Sequence, residues 1–426
     1  MLKDILTHVQ LLTDRRIQKM FWTVHKDFSR DSNYHLADFI KALWVAAKDE
    51  RILKFNDQYV HSSFLPPIPS KAAMQIFDAV PEDGTKFFNH THAIRKAPIS
   101  MYMAVTGRCG YNCRHCSAAN RNYSEDLAFD LIADTIDELQ DMGVGIIGLT
   151  GGEPLLRVDI VDIVRCIDDR SVGYLFTSGN GLTREKADEL KSAGLFAIGI
   201  SLDSTSEVEA DRKRGCKGAY QDALLAVEYA LQAGLYVMLQ TVVDKEMIDN
   251  DQLTDMVNFA NELGVHEIRL LENLPAGKFL HISSDRILSG TDREKLRVFH
   301  RRMNRIGRNL PKVSVFAHAE SAKLYGCGAG TQHSYIDAAG NICPCDFVPL
   351  SFGNIKNTPV QELWLRMNKC IGRPRDRCMI LELYRQIHKQ SQTILPLDAA
   401  ISRQLVCTMR KVSSYPGFYS TLKGEV

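Results

Sequence analysis

The chain has 426 residues, 45% of them hydrophobic and 24% charged, with a formal net charge of +1. That is more than one compact domain usually holds, so two or three domains of ordinary globular composition are expected. The near-neutral charge gives no support to nucleic-acid binding through bulk electrostatics, no apolar run is long enough to span a bilayer, and Met1-Leu2-Lys3-Asp4 does not open a signal peptide.

Eleven cysteines without a secretion signal predict a reducing, cytoplasmic compartment, where crowded cysteines are metal ligands before they are disulfides. Cys166 and Cys216 stand alone in helical patterns and read as small buried hydrophobes. Residues 1–98 form a mostly helical region and linker. Val9 and Leu12, then Ile17, Phe21, Val24 and Phe28, recur at helical spacing, and a second helix is expected from His35 to Lys48 with Leu36, Phe39, Ile40 and Leu43 on one face. Arg15, Arg16, Lys19 and Lys26 are interleaved with Phe21 and Trp22. The region therefore either packs on the rest of the chain or docks a partner or a membrane surface. A hairpin around Asn56-Asp57 and the breaker Pro66-Pro67-Ile68-Pro69 complete it.

From Ile99 the pattern changes. Apolar runs at Ile99–Val105, Gly145–Thr150, Tyr174–Thr177, Ala197–Leu202, Tyr236–Val242 and Glu267–Leu271 alternate with helical patterns, among them Arg184–Ala193, Tyr220–Ala233 and Gln252–Leu263. Gly143, Gly194, Gly234 and Gly264 each follow a helix and can form its left-handed cap. Such alternation gives a parallel sheet with right-handed crossovers and an active site at the carboxyl ends of its strands. At those ends lie Cys109, Cys113 and Cys116 in one short loop, Gly151-Gly152-Glu153-Pro154, Thr177-Ser178-Gly179 and Ser201. Three thiolates at this spacing can hold three corners of a 4Fe–4S cube and leave the fourth iron open. After Pro311 a third region begins: Val313–Ala317 reads as a strand, Tyr335–Ile342 as strand, turn, strand, and Val360-Gln361-Glu362-Leu363-Trp364 as the start of a helix.

The loop Thr106–Cys116 resembles the signature of the radical S-adenosylmethionine (radical SAM) family. So do Gly151–Pro154, Gly199-Ile200-Ser201-Leu202-Asp203 and Arg214-Gly215. Residues Cys327 through Trp364 look like that family's SPASM or twitch extension. The resemblance implies an α/β fold: a partial (β/α)6 TIM-like barrel over 99–310, behind the N-terminal helical region 1–98, with a SPASM/twitch domain over 311–426. It implies that Cys109, Cys113 and Cys116 hold a 4Fe–4S cluster whose open iron binds SAM. It implies SAM contacts from His115, Gly151, Gly152, Glu153, Ser178, Asn180, Ser201 and Arg214, with Glu153 meeting the ammonium and Arg214, ahead of Arg212, the carboxylate. One auxiliary 4Fe–4S cluster is expected on Cys327, Cys345, Cys370 and Cys378, with zinc on the same four as the alternative and Cys407 in reserve. Cys343 falls where the extension has no ligand. No catalytic acid or base is assigned; Asp203, Tyr220, Glu272 and Asn273 read as structural.

The expected activity is reductive cleavage of SAM to a 5′-deoxyadenosyl radical that takes hydrogen from a substrate, an oxidoreductase or maturase acting on a peptide or protein. A small molecule or lipid is the alternative substrate, and a non-catalytic iron–sulfur protein the third reading. Electrons are expected from an external ferredoxin or flavodoxin, since the chain carries no flavin fingerprint. No nucleic acid is expected as a partner, and peripheral membrane contact would run through the N-terminal helices.

Overall fold

A computed structural model describes residues 2–81, 85–306, 310–390, 395–410, 412 and 414–423. The chain opens with helices Leu2–Thr13, Arg15–Phe28 and Leu36–Ala47. Asp14 starts the second of these by accepting the Arg16 N–H, which satisfies one of the donors a helix start leaves free. Its buried stripe, Ile17, Met20, Val24 and Phe28, follows the helical period. Val24 and Phe28 pack with Phe39, Ala42 and Phe87, and also with Leu422 of the last helix, Gly417–Leu422. The two ends of the chain thus share one apolar cluster, a contact no local pattern announces.

Strands β1 (Leu53–Phe55) and β2 (Gln58–Val60) form the expected hairpin, with Asn56 in the left-handed region at φ 52°. The hairpin closes the bottom of the barrel. Phe55 meets Phe196, Tyr236 and His266 edge-on, with ring centroids 5.6, 5.3 and 4.9 Å away.

Six strands come next, each joined to its successor in parallel register: β3 (Ser100–Thr106), β4 (Ile146–Gly151), β5 (Val172–Thr177), β6 (Ala197–Ser201), β7 (Tyr236–Val243) and β8 (Glu267–Glu272). The intervening helices bury one face each against the sheet. The helix Phe129–Met142, for example, buries Ile132, Ile136, Leu139 and Met142 and stops at Gly143, whose φ of +97° suits glycine. The expected partial barrel is borne out.

The sheet does not stop at residue 310. β9 (Lys312–Val315) adds to β8 in parallel, where a strand as far as Ala317 was expected; the chain turns helical at Phe316–Ala319 instead. At the other edge β10 (His333–Ile336) pairs in parallel with β3, and β11 (Ile342–Cys343) pairs antiparallel with β10. The C-terminal region is therefore joined to the barrel through the same strand that ends in the cysteine loop. Helices Val360–Ile371, Met379–Gln390 and Ala399–Thr408 complete it.

The N-terminal region is tied to β9 by a buried ion pair. The Lys312 ammonium, fully buried, meets the Glu50 carboxylate and donates to the Arg51 carbonyl at 3.1 Å. Burial would raise the Glu50 carboxyl, but Lys312 and His300 outweigh it and hold it well below the usual carboxylate range. Lys312→Met leaves that carboxylate buried without its cation and is expected to cost about 3–5 kcal/mol. The thermal midpoint of the anaerobic protein should fall by several degrees, and Glu50→Gln in the same chain should recover part of the loss. An unchanged midpoint would contradict the assignment.

Candidate functional site

The cysteine loop leaves β3 at Thr106 and has no regular structure of its own, so its shape must come from what it touches. Three barrel loops supply this. After β4, the Gly152 N–H donates to the Thr106 carbonyl at 2.8 Å and the Glu153 N–H to the Arg108 carbonyl at 2.7 Å. A Cβ on Gly152 would lie 2.1 Å from the Arg108 oxygen, so only glycine permits this approach. After β6, the Arg114 N–H donates to the Lys213 carbonyl at 3.0 Å. After β8, the Lys278 N–H donates to the Cys116 carbonyl at 3.1 Å, and the Lys278 ammonium to the Asn112 carbonyl at 3.0 Å. Gly277, at φ +55°, would place a Cβ 2.1 Å from the Cys116 oxygen.

Cys109 is exposed, and Cys113 and Cys116 are half-buried. Burial pushes the Cys109 thiol up to about 11, partly opposed by the Tyr111 N–H that reaches its sulfur at 3.4 Å. Loading a metal on these thiols therefore releases protons. Cys113 and Cys116 lie near enough that a charge on either would raise the Cys109 thiol further.

Asp203, fully buried just past β6, is the charged hub beside the loop. Its carboxylate lies 2.7 Å from the Arg214 guanidinium and 3.4 Å from the His115 ring, and accepts the Val242 N–H at 2.8 Å. Burial would raise the Asp203 carboxyl, but the Arg214 guanidinium brings it below its ordinary value. Burial lowers His115 to about 4, so the ring is neutral near pH 7. Arg214 also reaches the Cys113 sulfur at 3.9 Å, while its Nε is buried without an acceptor. Arg212 instead pairs with Glu209 at the surface, at 2.5 Å.

The expected SAM contacts divide. Gly151, Gly152, His115, Ser178, Ser201 and Arg214 line one cavity together with the three cysteines. Glu153 does not. Its carboxylate is 1% exposed and takes four protein donors: the Thr177 hydroxyl at 2.6 Å, the Leu155 N–H at 3.1 Å, and the Ser178 N–H and hydroxyl at 2.8 and 2.5 Å. The side chain thereby braces the loop after β4 against the end of β5. Asn180 does not line the cavity either; its amide donates to Asp222 at 3.0 Å and its oxygen faces Gly110 of the cysteine loop. Tyr111, which carried no expectation from the sequence, lines the cavity and donates to the same Asp222 carboxylate at 2.6 Å. The unpaired Arg214 Nε, the two glycines and the serine hydroxyls fit a ligand that carries both a carboxylate and hydroxyl groups.

A second thiol set opens on the same cavity. Cys327 and Arg375 exchange backbone hydrogen bonds, at 2.8 and 3.1 Å, which carries Cys378 to Cys327. A hydrogen bond from Cys378 draws the Cys327 thiol below its ordinary value against its burial. The Glu320 carboxylate comes within 4.8 Å of both sulfurs, and His333, Cys345 and Asp346 form a second such trio. Cys370, expected as the fourth ligand, is not brought there. It sits on the helix Val360–Ile371, which ends before the Arg375 turn, and its thiol neighbour is Cys407. Cys343 is buried on β11 beneath Arg121. Glu320 and Asp346 had no sequence signal beyond their distance from the cysteines.

The cavity measures about 1220 Å³, above the usual range for a small-molecule pocket. Its far wall is apolar and comes from the N-terminal region, with Phe28, Phe39, Phe64 and Phe77.

Residues 103–260 match the radical SAM superfamily, and residues 327–379 match the iron–sulfur cluster-binding domain called SPASM. Similar curated proteins include an AdoMet-dependent heme synthase from Methanosarcina barkeri, 29% identical over 64% of this chain and 83% of its own. The PqqA peptide cyclase of Gluconobacter oxydans is 27% identical over 63% and 76%, and the mycofactocin maturase MftC of Mycolicibacterium smegmatis 29% over 59% and 65%. Among solved structures, Streptococcus suis SuiB bound to its precursor peptide SuiA superposes with a TM-score of 0.55 at 17% identity, covering 66% of this chain and 67% of that one.

Gly152→Ala and Gly277→Ala each push a carbon into a carbonyl of the cysteine loop. After anaerobic reconstitution, either variant should lose the loop's cluster and fall from about eight irons per chain to about four, with its circular dichroism unchanged. Full iron content in both variants would contradict the clamp.

Proposed function

The chain belongs to the radical SAM superfamily and carries a SPASM iron–sulfur domain, and from that premise we propose that it is a peptide-modifying enzyme whose two cofactor sites face one substrate cavity. The observation that carries this reading is the shared cavity: Cys109, Cys113 and Cys116 line one side, Cys327, Cys345 and Cys378 another. Relatives named for peptide cyclisation and peptide maturation support the substrate class, as does a cavity roomy enough for a side chain beside a cofactor.

A 4Fe–4S cluster on the first three cysteines, with SAM at its open iron, supplies reductive cleavage of SAM and the 5′-deoxyadenosyl radical that takes hydrogen from the substrate. The chain's own residues bind and orient. Arg214 offers its free Nε to the SAM carboxylate while Asp203 holds the guanidinium in place. Ser178 and Ser201 offer hydroxyls at the ends of β5 and β6, and the Gly151-Gly152 backbone faces the same space. Glu153 acts at one remove, by fixing Ser178. His115, neutral and buried against Asp203, gives a flat wall.

Cys327, Cys345 and Cys378 hold one auxiliary cluster. Among the described residues no fourth cysteine lines the cavity there, so its last corner falls to Glu320 or Asp346, or opens to the substrate. Functionally the chain divides as residues 1–98, 99–310 and 311–426, and a ferredoxin or flavodoxin supplies electrons.

A small-molecule or lipid substrate is the second reading. The heme synthase relatives favour a small molecule. Trp22 and Trp44 are each 62% exposed, with Lys26 and Lys48 over their rings at 5.6 and 4.9 Å and Leu36 and Ile40 exposed beside them, which favours membrane contact. No helix among the described residues is long and apolar enough to cross a membrane.

Incubated anaerobically with SAM and dithionite, the reconstituted protein should form 5′-deoxyadenosine, and Cys109→Ala should form none; equal yields would refute the site. Short peptides encoded beside the gene should change mass in the same reaction. Flotation of the intact chain with anionic vesicles, together with unchanged peptide masses, would move the assignment to the second reading.

A further inference from the structure

The inner wall of the barrel carries a buried cation with no carboxylate among the described residues in ion-pair contact; the buried Glu267 acts on it only at longer range. Arg269, in the middle of β8, is 1% exposed and lines the cavity. Its guanidinium lies among three rings, Phe64, Phe176 and Phe316, at 5.4, 5.2 and 5.2 Å from their centroids. One nitrogen donates to the Tyr102 hydroxyl at 3.4 Å, a long bond. The other two, Nε and Nη1, are buried with no acceptor. Among the described residues no carboxylate pairs with it, whereas Arg293 on the same cavity wall has Glu272 at 2.9 Å.

Aromatic faces return only part of what a buried guanidinium loses on leaving water. Unpaired donors facing a cavity are what a bound acceptor would satisfy. The strand register gives the position. Ser201 on β6, Gln240 on β7 and Arg269 on β8 are successive partners, so their side chains share the barrel's inner face. Arg269 thus stands two strands, roughly 10 Å, from Ser201. That places it inside the barrel, level with Ser201 among the expected SAM contacts.

We propose that Arg269 seats a carboxylate of the substrate, clasped between Phe64, Phe176 and Phe316 with the Tyr102 hydroxyl beside it. The proposal rests on the reading of this cavity as the substrate site. A single negative charge fits better than a phosphate dianion, because Glu267 stands one strand period below on the same face with one carboxylate oxygen undonated. The aromatic walls suit an apolar neighbour of the acid group. In a peptide that carboxylate is either an acidic side chain or the C-terminus.

Binding to the reconstituted holoenzyme tests this without turnover. By calorimetry or saturation-transfer NMR, phenylacetate should bind at least tenfold more tightly than phenylacetamide, its neutral counterpart. R269Q should erase the difference, and R269K should keep a weakened preference for the acid, with circular dichroism and iron content checking the fold of each. N-acetylphenylalanine and N-acetylglutamic acid α-amide should each displace phenylacetate, the tighter one naming the C-terminal or side-chain source. Equal binding of phenylacetate and phenylacetamide, no binding of either, a preference that survives in R269Q, or failure of both amino-acid probes would overturn the proposal. These outcomes are separate from 5′-deoxyadenosine formation: loss of that product sinks the radical chemistry, whereas loss of acid preference sinks only the carboxylate seat.

Discussion

A loop without secondary structure carries Cys109, Cys113 and Cys116, and backbone contacts from three other loops give it its shape. The Gly152, Arg114 and Lys278 amides meet carbonyls of Thr106, Lys213 and Cys116, pulling the loops after β4, β6 and β8 onto the Cys109–Cys116 segment. Two of these approaches are too close for any side chain, at Gly152 and Gly277. The backbone that carries the three thiols is therefore held by the protein itself. Charged groups reinforce the same clamp, with Asp203 between Arg214 and His115 and Asp244 near Arg114 at 3.2 Å.

The relation between the two thiol sets comes from the sheet. β10 adds to β3 in register, Ile336 opposite Met103, so the strand that delivers the first three cysteines also anchors the region carrying Cys327, Cys345 and Cys378. At the opposite edge β9 extends β8, and the buried Lys312–Glu50 pair draws the N-terminal region against it. Extension at both edges encloses a space that six strands alone would leave open. The apolar far wall from Phe28, Phe39 and Phe77 is the result.

Much of this was legible in the sequence for local reasons. Apolar runs marked β3 to β8, because strands of a covered parallel sheet are buried on both faces. Three cysteines in one loop and two adjacent glycines after the next strand marked the cofactor end. The parts that escaped depend on contacts between distant residues. Glu153 carries the charge expected of an ammonium partner, and only the fold shows that its oxygens also accept from Thr177, Ser178 and Leu155. Cys370 lies near the right place in sequence, but its helix ends before the chain turns toward Cys327, and Glu320 reaches the sulfurs instead. Arg269 had a local signal: Glu267-Ile268-Arg269 alternates charge and hydrophobe within a strand, which puts both charges on one face, here the inner face of the partial barrel.

Electron paramagnetic resonance of the reduced protein, recorded with and without SAM, bears most directly on the claim that the clamped loop alone offers an open iron to SAM. SAM should alter the signal that disappears in Cys113→Ser and leave unaltered the signal that disappears in Cys378→Ser. Spectra indifferent to SAM, or a SAM response that depends on Cys378, would contradict the account.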